Sequence, residues 1–112
     1  MKQLRLRMIL AEFFKRNSEY IGFQISGHAG YDVVGMDIAC ASVSSAVQLT
    51  ANTITDFMKI KADVDVVPDK IKLNINEDCS RMGSIIIESL KFHLELISQQ
   101  FKETIRIKAT EV

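Results

Sequence analysis

Cys40 and His28 stand twelve positions apart in this 112-residue sequence, and a thiol with an imidazole in reach is a constellation for nucleophilic chemistry. The segment that joins them is unusual. Gly27-His28-Ala29-Gly30-Tyr31-Asp32-Val33-Val34-Gly35-Met36 holds three of the chain's five glycines within nine positions, which marks a backbone that bends sharply or moves. Asp37 follows at the place of a helix N-cap, where its carboxylate could accept the amide of Cys40. A cysteine in a first helical turn meets unpaired N–H groups and the positive end of the helix dipole. Such settings lower a thiol pKa from about 8.5 to roughly 3.5–7.5. An imidazole beside it would complete a thiolate–imidazolium pair and could protonate a leaving group.

The same residues admit a plainer account. A cysteine at a helix start is a small packing residue, a histidine in a loop is polar surface, and the sequence does not show that the two side chains meet. Asp37 has two readings as well: the cap of the helix that presents Cys40, or a third member that orients His28. The remaining candidates have weaker support. Ser42, Ser44 and Ser45 have no base assigned to them, and Cys79 has no histidine near it in sequence. His93 falls on an apolar helical stripe and reads as a core histidine or an interface residue. No C-x-x-C pair and no Cys/His spacing suits zinc, so neither a metal nor another cofactor is expected.

The elements that must position these residues follow from periodicity. Residues 3–14 alternate as a strand, a polar turn covers 15–19, and Tyr20 to Ser26 form a second strand with Ile21, Phe23 and Ile25 on one face. Past the glycine segment, Val43, Ala46/Val47, Leu49/Ala51, Ile54 and Phe57/Met58 recur at helical spacing, predicting an amphipathic helix of about 38–58. Strands over 62–67, with Val64 and Val66 on one face, and over 71–75 flank the turn Pro68-Asp69. A second helix of about 78–101 carries the stripe Met82, Ile86, Leu90, His93/Leu94, Ile97 and Phe101. The tail alternates with Ile105, Ile107 and Ala109 inward and Thr104, Arg106 and Lys108 outward. The order is ββαββαβ, an α+β fold in which a mixed sheet packs with two helices on one or both faces.

Composition bounds the rest. A chain of 112 residues makes one domain, 1–112, and buries roughly 65% of its unfolded surface without needing disulfides or metal. Lys+Arg and Asp+Glu number 14 each, so nothing here favours direct nucleic-acid binding. The near-zero charge is compatible with self-association. No apolar run reaches the roughly 18 residues of a membrane span, and the N-terminal alternation of Leu4, Leu6, Met8 and Leu10 suits a strand better than a signal peptide. The expected compartment is the cytoplasm, where two lone cysteines stay reduced.

Gly27-His28-Ala29, followed by Gly35-x-Asp37-Ile38-x-Cys40-Ala41-x-Val43-Ser44, resembles the signature of the Prp family of ribosomal-processing cysteine proteases, with the same step from His to Cys. The order of elements along the whole chain is similar too. The resemblance implies that His28 and Cys40 form a catalytic dyad. It implies a substrate as well, the precursor of a bacterial large-subunit ribosomal protein, whose short N-terminal extension is cut after an apolar, aromatic-rich stretch. Gly27, Ala29, Gly30, Tyr31 and Gly35 would then belong to a loop that closes over the peptide, and a homodimer is the expected assembly. Val34 stands where family members often carry an aromatic residue, which bears on substrate preference. The rival readings are a non-catalytic, ribosome-associated module that grips a peptide or RNA, and a redox sensor built on Cys40.

Overall fold

The hairpin that opens the sheet is set by two residues. Asn17 and Ser18 take positive φ angles of 52° and 69°, the conformation of a two-residue primed turn whose twist matches that of paired strands. They join β1, Ile9–Arg16, to β2, Glu19–Ser26, in antiparallel register. This computed structural model describes residues 8–27, 36–76 and 81–112, the side chains of Met36 and Asp37 excepted. After β2 come helix α1, Met36–Asn52, a π-helical turn, Thr53–Phe57, and the strands β3, Ala62–Val67, and β4, Lys70–Ile75. Helix α2, Arg81–Gln100, and strand β5, Ile105–Glu111, complete the ββαββαβ order.

The strands form one sheet in the order β3-β4-β2-β1-β5. All neighbours are antiparallel except β1 and β5, which run parallel, so the sheet is mixed. One face is apolar. Phe13, Phe23 and Leu73 stand in one cross-strand row, and Ala11, Ile25 and Ile71 in the next. They pack with Val43, Val47, Ile54, Ile87, Leu90 and Leu94 of the helical layer in a single core. Both helices therefore lie on this face. The other carries Glu12, Gln24, Lys72 and Lys108 in one row, with Lys108 Nζ 4.0 Å from Glu12 Oε2.

The boundaries shift in places from those the periodicity predicts. Lys15 and Arg16 belong to β1 rather than to the turn. The β1 core face is Ile9, Ala11 and Phe13, while Leu10 is half exposed on the far side. In β2 the register skips Ile21, an extra residue that turns Tyr20 rather than Ile21 into the core. Tyr20 meets Phe13 edge to face at 6.4 Å between ring centroids, and its amide donates to Ser84 Oγ of α2 at 2.8 Å. On the helices Leu49, Phe57, Met82 and His93 prove exposed, because the buried stripes run instead through Ala39, Val43, Val47 and Ile54, and through Gly83, Ile87, Leu90, Leu94 and Ile97. Ile86 is only half buried. In β5 the alternation holds for Ile105 and Ile107, but Ala109 is exposed and Thr104 buried, since the cover of the core face thins at the edge strand.

Candidate functional site

β2 ends where Gly27 turns into the left-handed region at φ +79°. A side chain is excluded twice over: L-residues are strained there, and a Cβ would sit 2.8 Å from the Met8 carbonyl oxygen. The Gly27 amide donates to the Asp69 carbonyl at 3.0 Å, which ties the end of β2 to the two-residue turn between β3 and β4. Asp69 itself takes φ 69° to make that turn after Pro68. On its other side the Gly27 carbonyl oxygen lies 4.0 Å from Cys40 Sγ. One glycine thus joins the sheet, the turn and the cysteine.

Cys40 is the fifth residue of α1, two positions deeper than its expected place, because the helix begins at Met36 rather than at 38. Its amide belongs to the intrahelical ladder, and the amides without such a partner are those of the residues before it. The side chain still leans toward the N-terminal end, as helical side chains do. It is 1% exposed, among Ala39, Val43 and the strand residues of the core. Asp37 falls inside the first turn of α1, where an acid interacts favourably with the positive helix end. Its carboxylate lies outside the described residues, as do His28, Ala29, Gly30, Tyr31, Gly35 and Cys79.

Exchanging Gly27 for alanine is expected to cost about 1–2 kcal/mol from the left-handed backbone alone, with a further penalty from the Met8 contact. Urea denaturation, with the midpoint and slope compared to wild type, checks it.

Two of the grooves among the described residues flank α1. One, of about 650 Å³, lies between the helices and is lined by Ala41, Ser42, Ser45, Leu49, Ser89 and His93. His93 is thus a surface residue beside α1 rather than a core histidine. The other lies between α1 and the edge strand β3, and Ser44 stands at its Cys40 end. Sequence reasoning missed Asp69 and this second groove. The Pro-Asp pair signalled a turn, but nothing local said that its carbonyl would hold the end of another hairpin.

The family model described as "Cysteine protease Prp" matches residues 8–106. The ribosomal processing cysteine protease Prp of Bacillus subtilis (strain 168) is 22% identical over 93 residues, covering 78% of this chain and 83% of that protein. Among solved structures, SMU.848 from Streptococcus mutans superposes with a TM-score of 0.79 at 20% identity, over 94% of this chain and 96% of that one. An essential ribosomal processing protease Prp from S. aureus, in complex with a substrate peptide, gives 0.82 at 18% identity, over 91% of this chain and 99% of that one. At such identities the structural likeness speaks for the fold.

Proposed function

The chain belongs to the Prp family of cysteine proteases, and from that premise we propose that it is a ribosomal-processing endopeptidase in which Cys40 is the nucleophile and His28 its acid and base. The observation that carries the reading is the 4.0 Å approach of Cys40 Sγ to the Gly27 carbonyl. That carbonyl belongs to the peptide bond whose nitrogen is His28, so the imidazole is tethered one residue from the sulfur's neighbour. A thiol beside a carbonyl oxygen is favoured as S–H, and an adjacent imidazole is the group that can take its proton.

The reaction is acyl transfer. Cys40 thiolate attacks the scissile carbonyl carbon, and amides at the start of α1 stabilise the oxyanion. The C–N bond breaks as imidazolium gives its proton to the departing amine. Imidazole then activates water, which releases the new carboxylate and restores the thiol. The glycine segment 27–35 closes over the peptide. Asp37 supports the site by favouring this helix start or by orienting His28. The substrate is the N-terminal extension of a large-subunit ribosomal protein precursor, and the compartment is the cytoplasm. No helix among the described residues is long and apolar enough to cross a membrane. Incubation with a peptide copy of the extension, read by product mass with Cys40→Ala as control, tests the assignment.

The active form is a homodimer. Met82, Ile85, Phe92 and Leu96, at steps of three, seven and four, fall on one outer side of α2 as a helix-packing seam does, and all are exposed. Leu49 stands exposed on α1 across the inter-helix groove. Such a stripe on a monomer is a surface awaiting a partner, and zero net charge does not oppose a second copy. Phe92→Glu is expected to convert the dimer to monomer in sedimentation velocity with little loss of helical circular dichroism.

A further inference from the structure

Equal totals of 14 acids and 14 bases give the whole chain no general affinity for polyanions, but the charges are not spread evenly. Both helices pack on one face of the sheet, and the residues that alternate with the core make the other. The rows that cross this open face through Leu10, Glu12 and Phe14 of β1 run from β4 to β5. They hold four cations, Lys70 and Lys72 from β4 and Arg106 and Lys108 from β5, against Glu12 alone. Glu12 is engaged within the face: Thr110 Oγ1 donates to it at 2.9 Å, and Lys108 Nζ lies 4.0 Å away. Lys70, Lys72 and Arg106 have no ion pair among the described residues. Asp63 and Asp65 extend two of the rows onto β3, at the margin of the sheet, where Asp63 accepts from Asn76.

Among these charges stands one aromatic ring. Phe14 is half-buried, and its register partner in β2 is Gly22, which has no side chain to crowd the ring. That gap is fixed, because a Cβ at Gly22 would collide with the Asn74 amide oxygen and the Leu73 carbonyl. Lys72 Nζ lies 5.9 Å from the centroid of the Phe14 ring, so a cation already occupies the place of a stacking partner. Gln24 pairs with Glu12 in the next row, and its carboxamide can both donate and accept at a base edge. From β4 to β5 the cations span three strand spacings, about 14 Å.

We propose that this open face binds single-stranded nucleic acid, with a base stacked on Phe14 and phosphates held by Lys70, Lys72, Arg106 and Lys108. The base takes the place of the Lys72 ammonium over the ring, and the ammonium moves to the adjoining phosphate. An acidic peptide would satisfy the cations and leave the ring unused, so the combination favours a chain of bases. The proposal stands apart from the identity of the nucleophile, since Cys40 belongs to the core on the opposite face.

Fluorescence anisotropy of the full chain with 5′-fluorescein-labelled decauridylate and decathymidylate tests it. Saturable binding of at least one is expected, and a logarithmic salt slope of about −2 if about three phosphates are neutralised. Phe14→Leu keeps an apolar side chain and removes the ring, and should weaken binding about tenfold. Lys72→Gln combined with Arg106→Gln should flatten the salt slope by about 0.7 for each cation removed. Glu12→Gln removes the one acid among the four strands and should tighten binding about twofold, a gain that a damaged fold does not imitate. Cleavage of the peptide copy of the extension should stay within about twofold in every variant, because the face is remote from Cys40. Absence of saturable binding to both oligonucleotides overturns the proposal, as does unchanged affinity in Phe14→Leu. Equally tight binding of a labelled decaglutamate overturns it too, and makes the face a docking surface for acidic protein.

Discussion

Cys40→Ala is expected to lower kcat for peptide cleavage by about 10⁴-fold or more, since removing the proposed nucleophile would leave only binding and oxyanion stabilisation. The protein itself should survive. Cys40 is 1% exposed in the core, and the change removes a single sulfur atom. A cost of about 1 kcal/mol, typical of single substitutions, does not unfold a domain held by 5–15 kcal/mol. Cleavage read by product mass, with the urea midpoint measured on the same samples, separates lost chemistry from lost fold. Equal cleavage by the variant would exclude Cys40 as nucleophile. His28→Ala should fall nearly as far, because a thiol beside the Gly27 carbonyl needs a base to become a thiolate. Asp37→Ala should fall less, since an acid in the first turn acts on the site through the helix or the imidazole rather than on the scissile bond.

What the sequence made legible was whatever rests on near neighbours. The alternation of Ala62 to Val67, the Pro68-Asp69 turn and the stripe through Val43, Val47 and Ile54 all follow from local geometry, and each stands where expected. The errors arise where burial depends on distant partners. Leu49 and Phe57 have helical spacing compatible with the core, but the sheet lies on one side of α1 only, and these two face outward. Ala109 continues a clean alternation, yet it is exposed beside its buried register partner Phe13, so the cover of the core face thins at the edge strand. The skip at Ile21 appears only when β2 is paired with β1. The candidate site divides in the same way. Residue types and the His–Cys spacing were visible in the chain. The link from Gly27 to both Asp69 and Cys40 joins three separate segments, and no window of sequence contains it.

The same distinction gives the largest expected effect on stability. Phe13 is fully buried at the centre of the sheet, directly opposite Phe23 in register, with ring centroids 6.3 Å apart and Tyr20 edge-on at 6.4 Å. Phe13→Ala removes apolar area and opens a cavity beneath rigid neighbours, for an expected loss of about 3–5 kcal/mol. Part of the loss comes from two aromatic pairs, each worth about 0.5–1.5 kcal/mol beyond area. The strands cannot collapse to fill the space, since Phe13 lies between β2 on one side and β5 on the other. Phe57→Ala deletes the same ring from a site that is 81% exposed and should change stability by no more than about 0.5 kcal/mol. Urea midpoints measured at equal protein concentration compare the two variants. A loss at Phe57 equal to that at Phe13 would mean that the exposed ring is covered in solution, and the face outside α1 would then belong to the assembly rather than to the surface.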